Sequence, residues 1–298
     1  MASSTRAFAT PELARAAASP APRAGGWPRR LLRNRAASIG LGIVAVYVLL
    51  ALTADWLPLR SPLQIVGSNR MAGPSWALPL GADSFGRDLL SRIVFGARLS
   101  LEVASVSVAI ALVAGSGLGL VAGYAGGWID QLIMRSMDIL FAFPAVLLAL
   151  GIVAALGPNP NNVIIAIAVV YTPIFARVVR GPVLALKERE FVEAARTLGA
   201  RASRILVVHV LPNLLSVLVV QASIALSWAV LTEAALSFLG LSAQPPAPSW
   251  GVMLNEGRQN LELAPHLAIV PGAAIMLAVL GFNLLGDGLR DVLDPRLQ

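Results

Sequence analysis

Residues Val103 to Gly123 read VASVSVAIALVAGSGLGLVAG, a run without a single charge. About 20 mainly apolar residues suffice for a helix to cross a hydrocarbon core of about 30 Å, so this run is expected to span a membrane. Gly115, Gly119 and Gly123 recur at four-residue spacing along it and make a groove for close helix contact, with packing inside the same chain favoured over an interface with a second subunit. Working outward, Ala36 to Ala54 and Ile139 to Gly157 are equally free of charge. A fourth run, Val163 to about Val179, is interrupted by Arg177, which can snorkel to the interface from a helix end. A fifth runs from about Leu211 to Thr232 and a sixth from about Leu267 to Leu285. The expectation is six spans, all helical because open strands leave their backbone unsatisfied in lipid.

Composition agrees. Of 298 residues, 57% are hydrophobic and 13% charged, well below the roughly 25% charged of a soluble domain. The 26 Gly and 20 Pro are scattered among apolar runs, which excludes a collagen-like or disordered chain. The net charge of +7 comes almost wholly from arginine, Lys187 being the single lysine. No stacking platform or base-reading motif accompanies these arginines, so their expected partner is anionic lipid beside cytoplasmic loops and not nucleic acid. Absence of cysteine removes disulfides, thiolate metal sites and cysteine nucleophiles.

Orientation follows from the bases. Seven precede the first span (Arg6, Arg15, Arg23, Arg29, Arg30, Arg33, Arg35), Arg135 follows the second, seven lie between Arg177 and Arg204, and Arg290 and Arg296 close the chain. The opposite side receives only Arg60, Arg70, Arg87, Arg92, Arg98 and Arg258, so both termini are expected in the cytoplasm. Residues 1–35 are rich in Ala, Arg, Pro and Ser and read as a disordered basic tail before a signal-anchor helix; a transit peptide would share that composition. Residues 36–98 hold the first span and a long external segment, 99–290 the core of the bundle, and 291–298 a cytoplasmic end. Residues 233–266 form a second long external loop.

The most informative loop reads KEREFVEAARTLGARASRILVVHVLPN from Lys187 to Asn213. It is a helix, a stop and another helix: Glu190, Phe191, Glu193, Ala194, Ala195 and Leu198 are good helix formers, and Gly199 supplies the positive φ that ends a helix without a Cβ penalty. Ala194 and Ala195 leave a low surface on which another protein could pack closely. From physics alone, a solvated charged loop is an equal alternative.

The pattern Glu193, Ala194, Ala195, Gly199, Leu211, Pro212 is similar to the EAA loop in permease subunits of bacterial binding-protein-dependent ABC importers. His209, two places before the Leu-Pro pair, departs from the general aliphatic residue there and resembles the variant in C-type permeases of dipeptide, oligopeptide and nickel importers. Leu80–Leu101 (LGADSFGRDLLSRIVFGARLSL), Met137–Leu150 (MDILFAFPAVLLAL), Glu233–Arg258 (EAALSFLGLSAQPPAPSWGVMLNEGR) and Phe282–Arg296 (FNLLGDGLRDVLDPR) resemble further segments of those subunits, in the same order. The resemblance implies an all-α integral membrane protein of the bacterial inner membrane, a type I ABC importer permease bundle of six transmembrane helices. It further implies a homologous B-type permease, two ATP-binding subunits that dock on the loop 187–213 as a coupling helix, and an external solute-binding protein. Peptides, or a related small solute such as a nickel chelate, are the implied cargo; ATP and magnesium would be used by the partner subunits.

No enzymatic site is expected in the chain itself. A P-loop needs a Gly-Lys pair, and Lys187 follows Leu186. His209 and His266, the two histidines, fall near opposite faces of the membrane and are read as interfacial hydrogen-bonding residues, not a shared metal site. Glu102 is expected to pair with Arg98 one turn earlier; Glu233 flanks a span, where an acid can carry protons. Pro144, Pro173, Pro212 and Pro271 are expected kinks, and Trp228 and Trp250 interfacial anchors. The alternative function, a self-sufficient secondary transporter or channel, finds little support because mid-span charges are nearly absent.

Overall fold

The computed structural model describes residues 31–293. The basic tail therefore lies outside the described residues up to 30, as do 294–298 of the C-terminal segment. Nine helices carry the described fold: α1 (Arg35–Thr53), α2 (Leu89–Ala125), α3 (Gly127–Phe141), α4 (Ala145–Leu156), α5 (Pro160–Leu186), α6 (Glu190–Thr197), α7 (Ala202–Phe238), α8 (Trp250–Arg258) and α9 (His266–Leu293). Two isolated bridges, Ser75 with Leu78 and Ala82 with Asp88, are the β pairing among the described residues. Five helices, α1, α2, α5, α7 and α9, are long and apolar enough to cross a membrane, and the bent pair α3–α4 brings the number to six if it counts as one span.

That pair differs from the expected third span. Instead of one helix over Ile139 to Gly157, α3 and α4 meet at 90° across residues 142–144. Pro144 has no N–H to donate and drives the residue before it out of the helical region, so α3 ends at Ala142, whose amide returns to Asp138 O at 3.0 Å. At about 1.5 Å per residue, the twelve residues of α4 reach only about 18 Å and cannot cross a bilayer alone. Apart from α1, the other spans outrun their apolar stretches. The 37-residue α2 is about 56 Å long, so its first turns, with Arg92 and Arg98, stand beyond the hydrocarbon.

The glycine groove of α2 faces α5, inside the chain. A methyl group at Gly115 would collide with Thr172 O, one at Gly119 with Ala176 O, and one at Gly123 would sit 2.8 Å from Val183 Cβ. The buried faces of these two helices, with Val103, Val108, Ala111, Val163, Ile167, Phe175 and Val179, form the centre of the core. Helix α1 lies on α9, fixed by Tyr47 Oη donating to Ala274 O at 3.0 Å and by Asn34 Nδ2 donating to Asp291 Oδ2 at 3.1 Å.

At the end of the bundle where α2 begins, opposite the loop 187–213, residues 54–88 and α8 make a layer over the helix ends. Asp88 caps α2 through its carboxylate. Asp83 accepts the amides of Phe85 and Arg87 and pairs with Arg87 Nε at 2.6 Å. Arg87 and Arg92 both reach Glu256 of α8 at 3.1 Å. Asp83, Arg87 and Arg92 are buried, Arg92 completely. Trp250, expected at an interface, is also fully buried: Nε1 donates to Ile93 O at 3.1 Å and the ring meets Tyr47 edge-on at 5.3 Å. Gly96 lies against the indole, where a methyl group would meet Trp250 Cδ1 at 3.4 Å. Trp228 remains exposed.

Candidate functional site

The helix-stop-helix reading of residues 187–213 matches the structure. Helix α6 ends where the Ala200 amide returns to Ala195 O at 3.0 Å and the Gly199 amide to Arg196 O at 2.9 Å, a closure that requires the positive φ of +77° found at Gly199. A side chain at Gly199 would meet open space, so backbone conformation alone demands glycine there.

Two residues seat α6 on the bundle. Val192 is fully buried and Ala195 nearly so, and both join the main core with Ile205 and Val210. Arg196 lies over the Tyr124 ring at the end of α2, 5.1 Å from its centre, and its Nε donates to Tyr124 Oη at 3.3 Å. That hydrogen bond holds the arginine's pKa above its ordinary value. The remaining face is open: Glu193, Ala194 and Gly199 are exposed, as are Phe191 and, at 88%, Leu198. Phe191, Ala194, Leu198, Arg204 and His209 line a hollow of about 520 Å³ between α6 and the start of α7. An amphipathic helix pinned by two small apolar residues, with an apolar and acidic face left uncovered, suits docking of a second protein.

Leu211 and Pro212 explain how α7 departs from this site. Pro212 offers no N–H, and the helix accommodates it by widening to a π turn over Ile205–Val210 and tightening over Leu211–Leu214. The side-chain amide of Asn213 donates to His209 O at 2.7 Å, satisfying a carbonyl in the altered stretch. His209 therefore stands beside α6, whereas His266 opens α9 and its Nε2 has no hydrogen-bond partner among the described residues.

Two ion pairs tie α3 to α5 near this loop. Asp130 receives a forked pair from Arg180, at 2.5 and 2.6 Å, and Asp138 pairs with Arg177 at 2.6 Å while Arg177 covers the Phe141 ring at 4.2 Å. Arg177, read as a snorkelling interruption, thus has a specific acid. Arg98, by contrast, does not pair with Glu102. It turns back to Asp55 at 2.8 Å and to Ala51 O at 3.0 Å, since a base four residues before an acid is the weaker helical order. Glu233 is fully buried, with Ser242 Oγ 3.4 Å from one oxygen and no partner on the other among the described residues.

The residues missed in the sequence are the outer network Asp83, Arg87, Arg92 and Glu256. Their one local signal is the i,i+4 spacing of Asp83 and Arg87; Glu256 comes from more than 160 residues away in the chain.

Comparison with known proteins agrees with this architecture. Residues 115–298 match the family described as the inner membrane component of binding-protein-dependent transport systems, and residues 27–74 match the N-terminal transmembrane domain of oligopeptide transport permease C. The chain is 50% identical over 270 residues to the dipeptide transport system permease protein DppC of Alkalihalophilus pseudofirmus, covering 91% of this chain and 89% of that one. It is 47% identical over 273 residues to the glutathione transport system permease protein GsiD of Pectobacterium atrosepticum, covering 91% and 90%. An inward-facing structure of the MetNI methionine ABC transporter shares the fold, with a TM-score of 0.56 at 21% identity over 69% of this chain and 98% of that chain. A multi-pass helical bundle with a projecting amphipathic loop, matched along nearly its whole length, belongs to the inner membrane components of binding-protein-dependent transport systems.

Proposed function

We propose that this chain is one half of the translocation path of an ATP-driven peptide importer. A homologous permease supplies the other half, two separate ATP-binding subunits power it, and an external solute-binding protein delivers cargo. The observation that carries this reading is α6: a helix seated by Val192 and Ala195, stopped by Gly199, and open along Glu193, Ala194, Phe191 and Leu198. Such a helix converts movement of a docked soluble subunit into rocking of the spans attached at its two ends. Glu193, Ala194 and Gly199 form the docking surface, whereas Ala195, expected there with them, turns into the core and seats the helix; Leu211 and Pro212 set the direction in which α7 leaves it. ATP-driven closure of the two docked subunits opens the path outward, and hydrolysis returns it inward. A peptide cargo is supported by the dipeptide and glutathione systems in which the similar permeases are named.

The test is to tag the chain, extract it in mild detergent with its native neighbours, and measure copurifying subunits and ATP hydrolysis in vesicles with and without peptide-loaded binding protein. A second permease with ATP-binding subunits, and hydrolysis stimulated by loaded binding protein, is the expected outcome. A homo-oligomer that transports without ATP would overturn the reading in favour of a secondary transporter.

A further inference from the structure

Glu102 is the one acid at the outer edge of the charge-free run of α2, and its carboxylate makes no hydrogen bond or ion pair among the described residues. Exposed charge beside hydrocarbon is costly unless it meets a counter-charge. Two hollows share this residue and Arg98. The first, about 620 Å³, is an apolar trough between Val48 and Leu52 of α1, Leu101 and Ala104 of α2, Leu226 of α7 and Phe282 of α9. The second, about 290 Å³, lies among Phe95, Leu99 and the outer-loop residues Pro62, Leu63, Ala247 and Pro248. Val46 and Leu49 of α1 and Val106 and Ile110 of α2 are exposed and apolar, as hydrocarbon-facing helix surfaces must be.

The trough therefore runs from an apolar floor to a boundary bearing one cation and one free anion. Arg98 is held by Ala51 O through Nε and by Asp55 through Nη2, which leaves Nη1 available; Glu102 offers both carboxylate oxygens. An amphiphile complementary to this pattern has a long apolar chain, an anionic group for Arg98 and a hydrogen-bonding cation for Glu102. We propose that the cleft between α1 and α2 binds one aminophospholipid of the outer leaflet. An acyl chain lies in the trough, the phosphate meets Arg98 and the primary ammonium meets Glu102. A purely anionic headgroup would leave Glu102 unpaired and face its repulsion, and a quaternary ammonium has no N–H to donate. The lipid thereby seals α1 onto the bundle at the point where the protein itself leaves a gap.

The full-length chain, with whatever subunits accompany it, would be placed in nanodiscs of phosphatidylethanolamine, phosphatidylcholine or phosphatidylglycerol and retained lipid counted by native mass spectrometry. The wild type is expected to retain the ethanolamine lipid over the others by about threefold, the scale of one exposed ion pair. Glu102→Gln should abolish that preference, while Glu262→Gln, an exposed acid in another loop, should keep it. Equal retention of all three lipids, or an unaltered preference in Glu102→Gln, overturns the proposal. The occupant is identified independently. Because the chain has no cysteine, Ser105→Cys beside the trough carries a photoreactive thiol reagent at a single site. Crosslinks to phospholipid support the proposal, and crosslinks to a protein subunit overturn it.

Discussion

The two faces of this membrane protein are built on opposite principles. On the face at the start of α2, three charged side chains are folded into the interior around the half-buried Glu256 of a distant segment, and a tryptophan is driven fully into the core beneath them. On the face carrying residues 187–213, one short helix rests on two small apolar residues and turns its remaining surface outward. Buried charges are expensive to desolvate, and they specify one arrangement, because any slip between α2 and α8 would take Glu256 from both Arg87 and Arg92 and leave Asp83 alone with two arginines. An exposed helix stopped by one glycine costs little and specifies only its own direction. The outer layer is thus invested in a fixed geometry, and the α6 face in a surface completed by something else.

That contrast is most sharply tested at its rigid end. Glu256→Gln leaves Arg87 and Arg92 buried without one acid and should destabilise the chain by about 3 kcal/mol, read as a lowered midpoint of thermal unfolding in detergent. Trp250→Ala should cost about 3–5 kcal/mol by opening a cavity under α2 and orphaning the bond to Ile93. Should either variant unfold like the wild type, the outer layer is not the fixed body described here.

Smaller effects on stability, with larger effects on transport, belong to the other face. Gly199→Val forces a β-branched residue to the positive φ and should cost about 1–2 kcal/mol while removing most stimulated ATP hydrolysis in the assembled complex. The comparison breaks if this variant transports normally. Smallest in stability is Glu193→Ala, within about 0.5 kcal/mol because the carboxylate is exposed. Its unfolding midpoint should match the wild type while copurification of ATP-binding subunits falls; unchanged copurification would remove Glu193 from the docking surface.

Much of the fold was legible locally. Charge-free runs of about 20 residues marked the spans, and the four-residue glycine repeat named the face of α2 that closes on α5. Within 187–213, helix formers followed by glycine marked α6 and its stop. Where the expectation strayed, the cause was a competing local rule or a distant partner. Pro144 turned one apolar run into two helices at 90°, since hydropathy carries no information about backbone direction. Arg98 preferred Asp55 to its helical neighbour Glu102, because a partner 43 residues away stood in better geometry.

Residue order alone determined that this chain lives in a bilayer as helices, which side its bases favour, and that a helix in 187–213 would stop at Gly199. These follow from transfer free energies and backbone preferences that act within a few turns of chain. Only the tertiary structure decided that Asp83, Arg87, Arg92 and Glu256 share one buried site, that Trp250 is core and not anchor, and that Arg98 and Glu102 sit over a trough. Each of those depends on which surfaces meet across scores of residues, where burial and charge pairing are set by the assembled helices and not by their neighbours in sequence.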